Sequence, residues 1–381
     1  VPSKGHPAMR HKKNSKIGSL LGIDNPLLLW MLWFVPIAFM VKWLCCEPLL
    51  VFAISGLAIV PLAAIIATAT ENIADVVGSV VGGLLNATFG NATEMVISIV
   101  ALSAGLVDVV KAGIVGTVIA NLLLALGAGM LVGGIKHPEL EFRPWVARIN
   151  ASSLILALVV LLTPASIHYT SQGLDPLIID RFSLVAATLL LGFYVLSLLF
   201  SMKTHRYLYE LPSDTENGNA RLTGETSQPE GIGRQVLLLL GASVVLVFVS
   251  EVLVASLESA IKTLGLTQMF TGVILIPLFG GVVEYITVIT FARKNKMDLA
   301  ISVAMGSSLQ IVMFVAPILV FAGQLMGQPM NLEFEPFELM AAAMAVVVIN
   351  SISSDGRSNW LEGMLLLVTY GIVATAFYFH P

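Results

Sequence analysis

Long apolar runs separated by short polar breaks dominate the chain, and they recur at the length a bilayer demands. A hydrocarbon core about 30 Å thick is crossed by roughly 20 apolar residues in a helix. Counting such runs between charged or turn-rich breaks predicts eleven spans, at residues 26–44, 48–70, 77–106, 112–135, 150–168, 180–202, 235–258, 268–292, 298–323, 337–352 and 359–379. The third, eighth and ninth contain internal Gly or Pro. A membrane helix tolerates these where neighbouring helices or water satisfy the freed backbone, so those three spans are candidates for the functional core. The predicted fold class is an all-α polytopic membrane protein.

Arg10, Lys12, Lys13 and Lys16 precede the first span and place that end in the cytoplasm by the positive-inside rule. Eleven crossings then leave the C-terminus outside. Lys136, Arg143, Arg148, Lys203, Arg206, Arg221, Arg234, Arg293, Lys294, Lys296 and Arg357 all fall on the predicted inner side, against only Lys42, Lys111, Arg181 and Lys262 at the outer one. Residues 1–25 read as a cytoplasmic tail, with 1–8 a scar of expression ahead of a native start at Met9. Residues 26–47 form an extra N-terminal helix. No small-residue cleavage site follows it, and Trp30, Trp33 and Trp43 suit interfacial anchors, so it is a retained span.

The stretch 203–234 breaks the apolar pattern with Glu210, Asp214, Glu216, Glu225 and Glu230 among Ser, Thr, Gly and Asn, the composition of a solvated acidic linker. It separates a first five-span repeat, 48–202, from a second, 235–381. The halves can be laid over each other: Phe89-Gly90-Asn91-Ala92-Thr93-Glu94 matches Phe279-Gly280-Gly281-Val282-Val283-Glu284, and Thr70-Glu71 resembles Ser250-Glu251. Downstream, the polar break at Asn121 answers that at Gly306-Ser307-Ser308. An odd number of crossings per half turns the second upside down, the inverted-repeat plan of secondary transporters with a substrate site near the midplane.

Composition narrows the classes. Hydrophobic residues make up 57% of the 381 and charged residues 12%, about half a soluble domain's charged share. A net charge of −4 leaves no basic stripe for nucleic acid. Cys45 and Cys46 are adjacent, which suits neither a disulfide framework nor a four-ligand zinc site; they read as small apolar side chains at a helix end. No HExxH motif is present, which argues against an intramembrane metalloprotease. The sequons at Asn86 and Asn91 lie in or beside a membrane helix and are discounted as glycan acceptors.

A carboxylate at the centre of a membrane helix costs at least about 2.5 kcal/mol, so one that persists there marks function. Glu94 and Glu284 are such residues, and no Lys or Arg occupies the middle of any span to neutralise them. Two facing carboxylates need a cation or protons to coexist in low dielectric. Calcium, which takes six to eight oxygens in irregular geometry, suits the pair. Asn91 shares the helix face of Glu94 and offers an amide oxygen. Ser307, Ser308 and Gln310 form the strongly polar cluster of the ninth span, as ligands or as helix-to-helix hydrogen bonds. Glu71 and Glu251, read as lying toward the cytoplasmic ends of the second and seventh spans, are candidates for a proton relay or gate, or are solvated termini.

At these residues the chain resembles the calcium/proton antiporters of the cation/calcium exchanger superfamily, from the first span onward. The segments that carry the resemblance are Gly90-Asn-Ala-Thr-Glu-Met-Val-Ile-Ser-Ile-Val-Ala-Leu102, Ala120-Asn-Leu-Leu-Leu124, Lys294-Asn-Lys-Met-Asp-Leu-Ala300 and Gly306-Ser-Ser-Leu-Gln310. It implies a transporter rather than an enzyme, without a cofactor, extruding calcium as its substrate in exchange for protons through Glu94 and Glu284. The family's second repeat usually reads G-N-x-x-E-H; this chain has Gly280-Gly-Val-Val-Glu-Tyr285 instead. Sodium/calcium exchange is the alternative, disfavoured by the absence of G-S-x-x-P-E signatures, and a divalent cation channel a more distant one. The expected partners are calcium, protons and the lipid bilayer, with self-association into a homo-oligomer left open. The short termini and modest linker point to a prokaryotic cell membrane ahead of a vacuolar one.

Overall fold

The computed structural model describes Leu21 and residues 25–44, 47–77, 79–171, 176–205 and 231–380. Most of the predicted N-terminal tail, Cys45 and Cys46, and residues 206–230 of the acidic linker lie outside the described residues.

Eight helices are long and apolar enough to cross a bilayer: Pro26–Trp43, Pro48–Val77, Val107–Lys136, Ala147–Ile167, Leu177–Thr204, Ile232–Leu264, Met297–Met326 and Trp360–Phe379. Two more crossings are bent pairs, Val81–Phe89 with Ala92–Ser103 at 43° and Gln268–Gly280 with Val282–Arg293 at 61°. These ten correspond to the predicted first to ninth and eleventh spans. The predicted tenth is Pro336–Ile352, an apolar helix of 17 residues. At about 1.5 Å per residue it is roughly 25 Å long, shorter than the hydrocarbon core. By length and composition the described residues therefore supply up to ten spans, and the count of eleven needs this short helix as well. Its start is firmly set, with Pro336 in the first turn and a capping box between Glu335 and Glu338.

The loops sort into two layers. In one, the strand β1 (Leu140–Glu141) pairs antiparallel with β2 (Arg357–Ser358), the Arg143 amide donates to Asp298 Oδ1 at 2.6 Å, and Arg148 Nη2 donates to the Ser354 carbonyl at 2.9 Å. In the other, Lys111 Nζ donates to Asn331 Oδ1 at 2.6 Å and to the Glu333 carbonyl at 2.7 Å, Asn331 Nδ2 donates to Asp180 Oδ1, and the Leu332 amide donates to Ser183 Oγ. Pro336–Ile352 runs from the second layer to the first.

Several helices overrun their predicted ends: the second reaches Val77, the fourth begins at Val107 and the seventh covers Ile232–Leu264. Charged residues such as Asp75, Asp108, Lys111 and Lys262 sit in those extra turns, where a helix leaving the hydrocarbon continues into the polar interface. The ninth span, marked like the third and eighth by internal Gly or Pro, is continuous. A π-helical segment, Ile311–Val315, stands just ahead of Pro317 and accommodates the hydrogen bond that proline cannot make. The fourth span carries a π segment at the matching level, Ala120–Ala125. The offset that carries Glu94 to Glu284 also carries Phe89 to Phe279, Asp108 to Asp298, Gly116 to Gly306 and Thr117 to Ser307.

Candidate functional site

Each bent span breaks directly after a Phe-Gly pair. The first half of the third span ends at Phe89 and the second begins at Ala92; in the eighth, Gly280 ends one half and Val282 begins the next. Glu94 and Glu284 are each the third residue of the second half-helix, so both carboxylates lie in a first turn whose amides lack intrahelical acceptors. That positive helix end favours a negative group and offsets part of its desolvation.

Glycines bring the breaks together. A Cβ on Gly280 would lie 3.4 Å from Glu94 Cγ and 3.6 Å from its Oε1, so the carboxylate of the first repeat rests against the backbone of the second repeat's break. On Gly116 a Cβ would fall 2.2 Å from the Val273 carbonyl oxygen, and on Gly56 it would fall 2.7 Å from the Phe279 ring, which Phe52 also meets edge-on at 5.8 Å. The fourth and second spans can approach the broken eighth span this closely only because those positions lack side chains.

Glu94 is buried, and neither of its carboxylate oxygens has a hydrogen-bond partner among the described residues. Glu284 is partly exposed, with Oε2 enclosed and likewise without a partner. Beside them runs a chain of polar side chains. Asn121 Nδ2 donates to Ser307 Oγ at 3.1 Å, Ser307 Oγ donates to Asn91 Oδ1 at 2.7 Å, and Asn91 Nδ2 donates to Gln310 Oε1. This ties the third, fourth and ninth spans into one layer next to the carboxylates. Asn121 is fully buried, and its Oδ1 remains without a partner among the described residues.

The structure thus gathers Glu94, Asn91, Ser307 and Gln310 of the predicted set, and sets the Glu284 half-helix beside Glu94. Ser308 is apart from the network: its hydroxyl is buried and donates to the Ala304 carbonyl at 2.8 Å. Consecutive helical residues point about 100° apart, so only one of Ser307 and Ser308 can face Asn91. Asn121 is the residue the sequence reading left out of the site. Its signal was present, as a lone amide inside an otherwise apolar stretch of the fourth span.

Glu71 and Glu251 are exposed and make no side-chain hydrogen bond among the described residues. Their neighbours Thr70 and Ser250 turn inward instead, Thr70 donating to the Ile66 carbonyl. The expectation that both glutamates lie toward the cytoplasmic ends needs correction. Glu71 is near the C-terminal end of Pro48–Val77 and Glu251 is past the middle of Ile232–Leu264, and these two spans cross in opposite directions. An inverted repeat places matching residues in opposite halves of the membrane.

A family model described as sodium/calcium exchanger protein matches residues 47–203 and 234–379. The chain belongs to this family. The two matched blocks are the two halves on either side of the linker. Among relatives, the Ca(2+)/H(+) antiporter of Aphanothece halophytica is 50% identical over 363 residues, covering 94% of this chain and 97% of its own. The protein of the same name from Synechocystis sp. is 50% identical over 373 residues, covering 95% and 99%. Among solved structures, native YfkE matches with a TM-score of 0.79 at 33% identity, over 93% of this chain and 100% of its own. The H+/Ca2+ exchanger CAX matches with 0.69 at 16% identity, over 92% and 91%, and so shows the shared fold.

Proposed function

We propose that this membrane protein is a secondary antiporter that moves calcium out of the cytosol in exchange for protons. The observation that carries the reading is the pair of intramembrane glutamates at facing helix breaks, with three enclosed carboxylate oxygens that have no hydrogen-bond partner among the described residues. The names of its full-length relatives support the same ion pair.

Glu94 and Glu284 supply the charge that binds calcium. Two carboxylates fall short of the six to eight oxygens calcium takes, so oxygens of Asn91, Ser307 and Gln310, break carbonyls and water complete the shell. Asn121 orients Ser307. Protons and calcium compete for the same carboxylate oxygens, and that competition couples the two flows. The calcium-loaded and the protonated site are each close to neutral, which makes both acceptable in low dielectric during a change of access; the site with two free carboxylates is not. The cation is cargo, and the mechanism calls for no cofactor.

The reading has the N-terminus in the cytoplasm, with the β1–β2 layer inside and the Lys111 layer outside, Pro336–Ile352 crossing as an eleventh span, and a bacterial cell membrane as the location. In sealed vesicles, an imposed pH gradient should drive calcium accumulation against its own gradient. Glu94→Gln and Glu284→Gln should each abolish it at normal expression, because an amide keeps the volume and removes the protonation cycle. A sodium gradient that drives calcium where a pH gradient does not would make the protein a sodium/calcium exchanger. Passive equilibration alone would make it a channel.

A further inference from the structure

The two helix breaks are held in different ways. In the first, the Asn91 side chain crosses to the ninth span, accepting from Ser307 and donating to Gln310. In the second, the matching position is Gly281, and the residues matching Ser307 and Gln310 are Thr117 and Ala120. Thr117 donates to the Gly113 carbonyl of its own helix at 2.9 Å, and Ala120 has no polar side chain. Among the described residues no side-chain hydrogen bond joins the second break to the fourth span. Tyr285 takes up that position instead. Its hydroxyl donates at 2.8 Å to the carbonyl of Pro277, on the far side of the break, which also accepts the Gly281 amide at 2.9 Å. The phenol fills the room of the missing side chain, since a Cβ on Gly281 would lie 2.6 Å from Tyr285 Oη and 2.7 Å from Cζ.

We infer that Tyr285 is a positioning residue for Glu284. By bonding across the break, it fixes the 61° bend within the eighth span and so the direction of the neighbouring carboxylate, and Gly281 is required because the phenol lies over it. Glu94 is thereby fixed to the opposite repeat through Asn91, whereas Glu284 is fixed to its own span. The inference rests on the proposed role of Glu284 in calcium binding.

The test measures calcium half-saturation and maximal rate of proton-driven uptake in sealed vesicles, with melting temperature in detergent alongside. Tyr285→Phe removes one oxygen; half-saturation should rise about fivefold with the maximal rate little changed, and the melting temperature should fall by no more than the loss of one hydrogen bond allows. Gly281→Ala pushes the phenol off Pro277 and should raise half-saturation similarly. In a Tyr285→Leu background, where the ring is gone, Gly281→Ala should have little further effect. An unchanged half-saturation in Tyr285→Phe overturns the inference. So does an equal Gly281→Ala effect with and without the tyrosine, which also decides the matter if Tyr285→Phe proves unstable. Glu284→Gln runs in parallel: if it abolishes uptake while Tyr285→Phe changes nothing, the positioning role falls and the carboxylate site stands. If Glu284→Gln transports normally, the site itself is wrong.

Discussion

Gly116 and Gly306 occupy matching positions in the two repeats, yet alanine should act oppositely at the two. At Gly116 the added Cβ falls 2.2 Å from the Val273 carbonyl oxygen and 2.5 Å from its Cα, both rigid backbone atoms of the eighth span. Ordinary contact needs about 3.4 Å or more, so the fourth and eighth spans must part by roughly 1 Å. Overpacking of this kind costs about 1–3 kcal/mol. The displacement falls on the span that carries Glu284, so exchange should drop at least about tenfold, since misplacements near 1 Å are costly where geometry is functional. At Gly306 nothing lies within 4 Å of the added Cβ. Gly306→Ala gains helix propensity, up to about 1 kcal/mol, and should melt no lower than the parent. Melting temperature in detergent and proton-driven calcium uptake at matched expression measure both effects. Equal stability and equal transport in the two variants would refute the reasoning, because the close approach of the fourth and eighth spans would then not depend on a missing side chain.

Calcium affinity in the unmutated protein should weaken as pH falls, since protonated carboxyls do not bind the cation; log affinity against pH should have a slope between about 1 and 2, the number of protons released per calcium by the coupled pair. A slope of zero would reject competition. Ser307→Ala should weaken calcium binding several-fold by breaking the Asn121–Ser307–Asn91 chain, and Ser308→Ala should leave it unchanged because that hydroxyl faces its own helix; the reverse ranking, read from half-saturation, would mean the network is not the ligand shell. Cys45 and Cys46 should react with an impermeant thiol reagent from outside intact cells, and labelling only from the cytoplasmic side would overturn the orientation.

Glu94 and Glu284 were legible in the sequence because a carboxylate inside an apolar run, with no cation to pair it, has few structural explanations. The breaks at Gly90 and Gly280 were legible as well, since the Phe-Gly-x-x-x-Glu pattern repeats and glycine weakens a helix. The ninth span was different: its internal Gly and Pro marked it as a core candidate beside the third and eighth, but where those two break the ninth runs on through a π segment at Ile311–Val315. Ser307 and Ser308 could not be separated by composition, because the choice depends on the rotational phase of one helix against Asn91. Asn121 was visible as a polar residue but not as a partner, since the contact that gives it a role comes from the other half of the chain. The interlock of Gly281 and Tyr285 was likewise hidden, as it is a relation between a missing side chain and a ring four residues on.

The inverted halves also bear on how such a protein keeps a single orientation. Carrying a residue from one half to the other moves it across the membrane, so a faithful copy would place equal positive charge on both faces and leave the inserting machinery no cue. The chain has lost that balance. Arg293, Lys294 and Lys296 have as their counterparts Ser103, Ala104 and Leu106, and Lys136 has Met326. Lysines at 103, 104 and 106 would raise the positive residues on the predicted outer face from four to seven against fifteen on the inner one, and so weaken the cue that sets orientation. Divergence of these loop residues therefore adds to the charge asymmetry by which a two-faced scaffold can take one preferred orientation.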